Sequence, residues 1–214
     1  MNQRDYSPLD HLLINFDQAL RTVAGRPLVT DRPNPAEARE ETPLTDAERV
    51  ESSRLMRINH AGEVSAQALY QGQALTARLE AVRERMEQAA REENDHLDWC
   101  EQRVRELGGR TSLLNPFWYL GSFAIGAAAG AIGDKWSLGF VAETERQVER
   151  HLDQHLKEVP ERDVRTRAIL EQMKADEIEH GQKALAQGGT ALPAPIRLAM
   201  RLTAKAMTRS VYYV

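Results

Sequence analysis

Apolar and polar positions recur along most of the chain at the spacing of helices. Residues 9–24 (LDHLLINFDQALRTVA) set apolar side chains three and four apart, which lays them along one side of a helix. The next stretch, GRPLVTDRPNPAEAREETP, carries Pro27, Pro33, Pro35 and Pro43. Proline at that density breaks regular structure, so an irregular arm is expected. Thr45 then stands three residues before Glu48, a capping-box pattern. It opens a helix that runs to about Leu79, with Gly62 and Gly72 as its weak points. Further helices are expected over Ala81–Leu107, Lys135–Val159 and Glu161–Gln187. Gly108-Gly109, Pro160 and Gly188-Gly189 close them in turn. No segment sustains period-two alternation with β-branched residues, so no sheet is expected.

Short turns join the helices within each half, and a long connection over residues 108–134 joins the halves. This pattern predicts an all-α, ferritin-like four-helix bundle with one long crossover. Residues 1–44 then form an N-terminal helix and a Pro-rich arm. Residues 45–214 form the bundle domain, including the crossover and a C-terminal helix over 193–212.

The crossover carries no charge from residue 111 to 133 (TSLLNPFWYLGSFAIGAAAGAIG). Its length matches a bilayer, but glycines, Asn115 and Pro116 dilute it. A lone span would also put the bundle's halves on opposite sides of a membrane, so a buried or membrane-surface helix is expected. Gly126 and Gly130 suit close helix packing. The C-terminal segment carries Arg197, Arg201, Lys205 and Arg209 at intervals of four, with no acid among them. Ile196, Leu198, Met200, Leu202, Met207, Val211 and Tyr212 supply apolar surface. The helix suits an anionic membrane surface or, equally, packing with one solvated face.

Composition narrows the function. The 214 residues are 42% hydrophobic and 28% charged, enough for one globular domain with arms. The net charge of −4 gives no basic excess for nucleic acid. The single cysteine, Cys100, makes no internal disulfide and points to a reducing compartment. Asp5, Asp10 and Asp17 interrupt the first thirty residues, so no secretory signal is expected. No Gly-x-Gly-x-x-Gly or phosphate loop occurs, so the chain brings no dinucleotide domain of its own.

The chemistry lies in a duplication. Glu93-Asn94-Asp95-His96 and Glu177-Ile178-Glu179-His180 are each Glu-x-x-His on a predicted helix. Residues three apart share a helix face, so each motif offers a carboxylate and an imidazole to one centre. Glu63 precedes Glu93 by 30 residues, and Glu145 precedes Glu177 by 32. The ferritin-like di-iron design needs one such Glu from each remaining helix. On the third helix Glu143, Glu145 and Glu149 all compete for that place. Four buried carboxylates carry four negative charges, which two ferrous ions neutralise. Carboxylates and imidazoles without thiolate suit iron or manganese better than structural zinc. Such a centre can give two electrons to dioxygen and insert one oxygen atom into a substrate.

NHAGEVSAQALYQGQ, ENDHLDWC, VAETERQVERHL and ADEIEHGQKAL resemble the demethoxyubiquinone hydroxylases of ubiquinone biosynthesis, over roughly residues 45–214. The resemblance implies a membrane-associated di-iron monooxygenase that hydroxylates a demethoxyubiquinol ring in the penultimate step of the pathway. It implies that Glu63 and His96 bind one iron and Glu145 and His180 the other, with Glu93 and Glu177 bridging. It selects Glu145 over its neighbours by its spacing to Val148 and His151. His151 matches a family histidine linked to electron transfer from nicotinamide; the aromatic that often follows it is Leu152 here. The implied cofactors are two iron ions per chain, with NADH or another external reductant. The implied partners are a ubiquinone precursor, dioxygen, a membrane surface and other ubiquinone-biosynthesis proteins. The implied location is peripheral, on the cytoplasmic face of the inner membrane.

Two other classes compete. An iron-storage or peroxide-scavenging di-iron protein has no need of the uncharged crossover or basic stripe. A non-catalytic helical membrane adaptor has no need of the duplicated ligand set. Among single residues, His60 is read as near the metals, quinone-facing or on a helix surface. His155 and His11 are expected in solvent, and Cys100 and Trp99 in the core. Asp95 and Asp176 are candidates to orient a ligand histidine. Trp118, Tyr119 and Trp136 are candidates for a quinone path or an interfacial belt.

Overall fold

The computed structural model of the protein describes residues 8–24, 27–30 and 32–214. The described residues form α1 (Pro8–Ala24), α2 (Asp46–Thr76), α3 (Glu80–Glu106), α4 (Asn115–Ile132), α5 (Asp134–Glu158), α6 (Val164–Ala186) and α7 (Ala194–Val211). No strand occurs among them. His11, expected in solvent, lies outside the described side chains.

Local chemistry sets the helix ends. The Thr45 amide donates to Glu48 Oε2 at 2.9 Å, and the Glu48 amide donates to Thr45 Oγ1 at 3.3 Å, which closes the capping box. The helix α2 stops short of Leu79 because Ala77 turns extended. The freed amides of Arg78 and Leu79 donate to the Asp134 carboxylate at 3.0 and 2.9 Å. The helix α6 starts at Val164 rather than Glu161 because Asp163 caps it, accepting from the Thr166 amide at 3.1 Å. Asp163 also accepts from Arg103, which is 1% exposed. Arg103 donates further to Glu41, Glu106 and Thr166. A buried guanidinium is tolerable only when so fully paired.

The pairs α2/α3 and α5/α6 are the two hairpins of the bundle. Leu55, Met56, Trp99, Val104, Leu152, Ile169 and Met173 pack into one apolar cluster. Tyr70, Met86, Leu138 and Val141 anchor a second. On every helix the candidate ligands fall in sequence between these clusters, so apolar packing fixes the polar layer on both sides.

The crossover helix α4 packs mainly along α2. Close approach is forced at Gly126, where a Cβ would strike the Leu69 carbonyl, and at Gly72, where one would strike Phe123 and Ala127 backbone. The outer face of α4 stays exposed and apolar: Phe117 is 65% and Leu120 68% accessible. The crossover is therefore a half-buried surface helix. Among the described residues, no helix is long and apolar enough to cross a membrane. The helix α7 is pinned at its C-terminal end, where Val211 is buried and the Tyr212 hydroxyl donates to Glu51 at 2.7 Å.

Candidate metal centre

The helix α2 presents Glu63, α3 presents Glu93 and His96, α5 presents Glu145, and α6 presents Glu177 and His180. All six are buried. Ligand atoms of Glu63, Glu93, His96 and Glu177 lie within 4.8 Å of one another. His96 Nδ1 is 3.1 Å from Glu93 Oε2, 3.1 Å from Glu177 Oε1 and 3.8 Å from Glu63 Oε2. His180 Nδ1 is 3.2 Å from both Glu93 Oε1 and Glu177 Oε2. Glu93 and Glu177 therefore each lie between the two imidazoles. Glu145 sits against the Glu177 carboxyl and accepts from the Tyr70 hydroxyl. Its rival Glu143 is committed elsewhere, to Arg146 and Gln147.

The outer nitrogens are held crosswise. His96 Nε2 lies 2.8 Å from Asp176 Oδ2, beside Glu177 in sequence. His180 Nε2 lies 2.7 Å from Glu92 Oε2, beside Glu93 in sequence. Each bracing acid is steadied by a glutamine one turn back: Gln172 reaches Asp176 at 2.9 Å, and Gln88 reaches Glu92 at 2.8 Å. The duplicated unit is thus Gln-x-x-x-acid-Glu-x-x-His, repeated at an offset of 84 residues. Asp176 orients His96 as expected, and Glu92 does the same for His180, a role that this longer repeat makes readable in the sequence. Asp95, the other foreseen candidate, does not orient a ligand; it accepts from the amide and hydroxyl of Thr30 in the arm.

Burial pushes the Glu63 carboxyl well up, and the Glu93 and Glu177 charges push the same way. Burial also raises Glu145, with Glu177 beside it. Burial opposes charge on His96 and His180, but the surrounding carboxylates outweigh it and raise both. Glu93 is buried too, yet the His180 and His96 imidazoles beside it hold it well below the usual carboxylate range. Asp176, despite its burial, is lowered to about 2 by His96 and Arg32. Without metal, the folded site therefore favours the protonated forms of Glu63, Glu145, His96 and His180 more than water does. Two divalent cations carry the same positive charge as four such protons. Glu93 Oε1, buried with no aligned donor, is an acceptor left for a cation. The donor set fits a pair of iron or manganese ions.

A cavity of about 1010 Å³ runs between α2, α4, α5 and α7 and reaches Glu63, Glu145 and Glu177. Leu55, Ile58, Trp118, Ile125, Phe140 and Met207 make apolar wall. Asn59, His151 and His155 are among its polar lining residues, which also include Thr144, Gln147, Arg201 and Lys205. His155, expected in solvent, is buried, with Nδ1 3.0 Å from Asn59 Oδ1 and its ring 3.9 Å from that of His151. The long α5 carries it inward, one turn beyond His151. Burial lowers His155 to about 2, with His151 adding to the shift, and lowers His151 to about 4. The Nε2 of His151 and the Nε1 of Trp118 are buried without a hydrogen-bond partner. His60 is not on a helix surface: it is buried, with Nδ1 3.3 Å from Asn115 Nδ2 at the start of α4. Cys100 and Trp99 are in the core, as expected. Tyr119 is buried, donates to Gln71, and does not line this cavity, whereas Trp136 is 39% exposed.

The fold and this layer define a ferritin-like helical bundle built around a buried carboxylate–imidazole site. A solved structure of a dodecameric thioferritin from Bacteroides fragilis superposes with a TM-score of 0.54, at 20% identity, over 67% of this chain and 85% of that one. It supports the fold alone. The family described as ubiquinone biosynthesis protein COQ7 matches residues 50–211. A 3-demethoxyubiquinol 3-hydroxylase from Nitrosococcus oceani is 58% identical over the full length of both chains. Others from Nitrosomonas europaea and Ectopseudomonas mendocina are 57% and 55% identical, over 96% and 100% of this chain and 99% of each relative. The chain belongs to the COQ7 family of ubiquinone biosynthesis proteins.

Proposed function

We propose that the chain is a 3-demethoxyubiquinol 3-hydroxylase, a di-iron monooxygenase that adds one oxygen atom to the quinol ring in the penultimate step of ubiquinone biosynthesis. The observation that carries this reading is a buried four-carboxylate, two-imidazole layer opening onto an apolar cavity, in a chain so similar to hydroxylases of that name. Glu63 and His96 would hold one iron and Glu145 and His180 the other, with Glu93 and Glu177 available to both. The position of both bridging carboxylates between the two imidazoles supports that division. Two irons held there would supply the two electrons needed to activate dioxygen. The apolar walls take up the isoprenoid quinol and exclude bulk water from the ring. His151 Nε2 and Trp118 Nε1, buried and unpartnered, offer donors to ring oxygens. The family resemblance also gives His151 the role of passing electrons from NADH or another external reductant. Leu152 is 1% exposed in the core, so the aromatic that often follows this histidine in the family has no counterpart in the cavity.

The test is to measure bound iron and then supply a demethoxyquinol, dioxygen and a reductant. Two irons per chain and a hydroxylated ring are expected. Iron uptake without hydroxylation favours storage or peroxide scavenging and overturns the reading.

An enzyme acting on an isoprenoid quinol must reach the bilayer. We infer peripheral attachment at the cytoplasmic face of the inner membrane, through the exposed face of α4 and the basic stripe of α7. Arg201, Lys205 and Arg209 are exposed, and Arg197 is half-buried. Replacing the three exposed residues with Gln is expected to weaken binding to anionic vesicles by more than an order of magnitude at low salt, at about 1 kcal/mol per basic residue. The loss shrinks as salt rises. Unchanged sedimentation with such vesicles would remove the electrostatic contribution.

A further inference from the structure

The two halves of the centre repeat each other, but one contact has no counterpart among the described residues. Glu92, which holds His180, takes its second hydrogen bond from Gln88 of its own helix. Asp176, which holds His96, takes one from Gln172 and another from outside the bundle. Arg32 of the Pro-rich arm donates through Nη2 to Asp176 Oδ2 at 2.6 Å, the same oxygen that faces His96 Nε2. The Arg32 guanidinium also lies 5.1 Å from the centroid of the Trp99 ring, whose own centroid is 5.4 Å from that of His96.

The arm is fastened to the same helices. The Thr30 amide donates to Asp95 at 2.7 Å, and Asn94 Nδ2 donates to the Leu28 carbonyl at 2.9 Å. Both partners are the intervening residues of Glu93-x-x-His96. Farther along, Asn34 Nδ2 donates to Gln102 at 3.0 Å, and Arg103 and Arg165 donate to Glu41, each at 2.9 Å. These arm residues all precede the segment matched to the family, which begins at residue 50.

We propose that the Pro-rich arm is a strap on the metal centre, and that Arg32 is a positioning residue that fixes Asp176 and thereby His96. A neutral imidazole can carry its proton on either nitrogen. Donation of Nε2–H to a fixed carboxylate leaves the Nδ1 lone pair toward the cluster. The Asp176 side chain is 15% exposed, so without Arg32 it is free to turn toward water. A charge-assisted bond from the strap removes that freedom. The His180 half does not depend on it.

The inference rests on the di-iron reading, and one experiment separates the two. Full-length protein is titrated anaerobically with Co(II), whose visible absorption reports each site, and iron-loaded protein is challenged with a chelator. Wild type takes up two metals. In Arg32→Met one site weakens about tenfold, the size expected when the support of a ligand histidine is lost, and the other is unchanged. Arg32→Lys, which keeps the charge, lies between. Glu92→Gln weakens the opposite site, and the double variant weakens both. The melting temperature of metal-free Arg32→Met falls only slightly, as for the loss of one part-exposed ion pair. Two wild-type affinities in Arg32→Met overturn the strap's role. So does equal loss at both sites with a markedly lowered metal-free melting temperature, which makes the arm a fold element only. A wild-type protein that takes up no metal overturns the di-iron reading itself, and this inference with it.

Discussion

Glu93→Ala is expected to abolish hydroxylation while quinone binding persists. Glu93 is 1% exposed, and its two oxygens face the two ligand imidazoles, at 3.1 Å from His96 Nδ1 and 3.2 Å from His180 Nδ1. Removing it takes away the carboxylate common to both halves. The cavity is lined by Glu63, Glu145 and Glu177 but not by Glu93, so its apolar walls stay in place. Glu179→Ala is the matched control. Glu179 lies two residues past Glu177, roughly 200° around the helix. Its side chain is 61% exposed and pairs with Lys183 at 2.5 Å. A surface change of that kind is expected to alter activity by no more than about twofold. The comparison reads turnover and quinone affinity in both variants. Like behaviour of the two would show the ligand assignment to be wrong, even in a protein that binds iron.

What could be read in the sequence follows from which signals are local. Thr45 and Glu48 write their own cap, and Gly108-Gly109 and Gly188-Gly189 write their own stops, so these ends fall within a residue or two of expectation. The helix α6 starts later than the expected Glu161 because its cap, Asp163, is fixed by Arg103 from another helix, and no local pattern announces that bond. The Glu-x-x-His pairs were legible because ligand spacing on a helix is a sequence property. The fate of His155 was not. Its neighbours read as a polar helix, and only the approach of Asn59 from α2 shows that this side of α5 faces the bundle interior. The arm was the least legible part. Its prolines correctly forbid regular structure, but they carry no sign of the hydrogen bonds that Leu28, Thr30 and Arg32 make to α3 and α6.

Metal is expected to stabilise the fold far more at alkaline than at mildly acidic pH. In the metal-free protein Glu63 and Glu145 hold protons above the usual carboxyl range, because burial disfavours their charge. His96 and His180 hold protons above the usual imidazole range, because the carboxylates around them outweigh burial. Above the unfolded histidine value of about 6.5 the unfolded chain holds none of these four protons. The folded state then binds more protons than the unfolded one, so stability falls as pH rises, by up to about 1.4 kcal/mol per pH unit for each group. Metal replaces those protons, so the bound form escapes this loss. The acid side differs. His60 and His151 are lowered to about 4 and His155 to about 2, chiefly by burial. These groups stay neutral when folded, so stability is lost as pH falls below 6.5, by roughly 2 kcal/mol at pH 5 for a histidine lowered to about 4. That loss is common to both forms, because none of the three is an assigned ligand. Melting temperatures with and without ferrous ion, measured anaerobically from pH 6 to 8.5, are therefore expected to diverge as pH rises. Metal binding at neutral pH should release protons, which an indicator dye in weak buffer detects. A gap that stayed constant across the range, with no proton release, would mean that the carboxylates are already ionised and the imidazoles already neutral before metal arrives. The six buried side chains would then carry an uncompensated charge of −4, which a folded interior does not sustain.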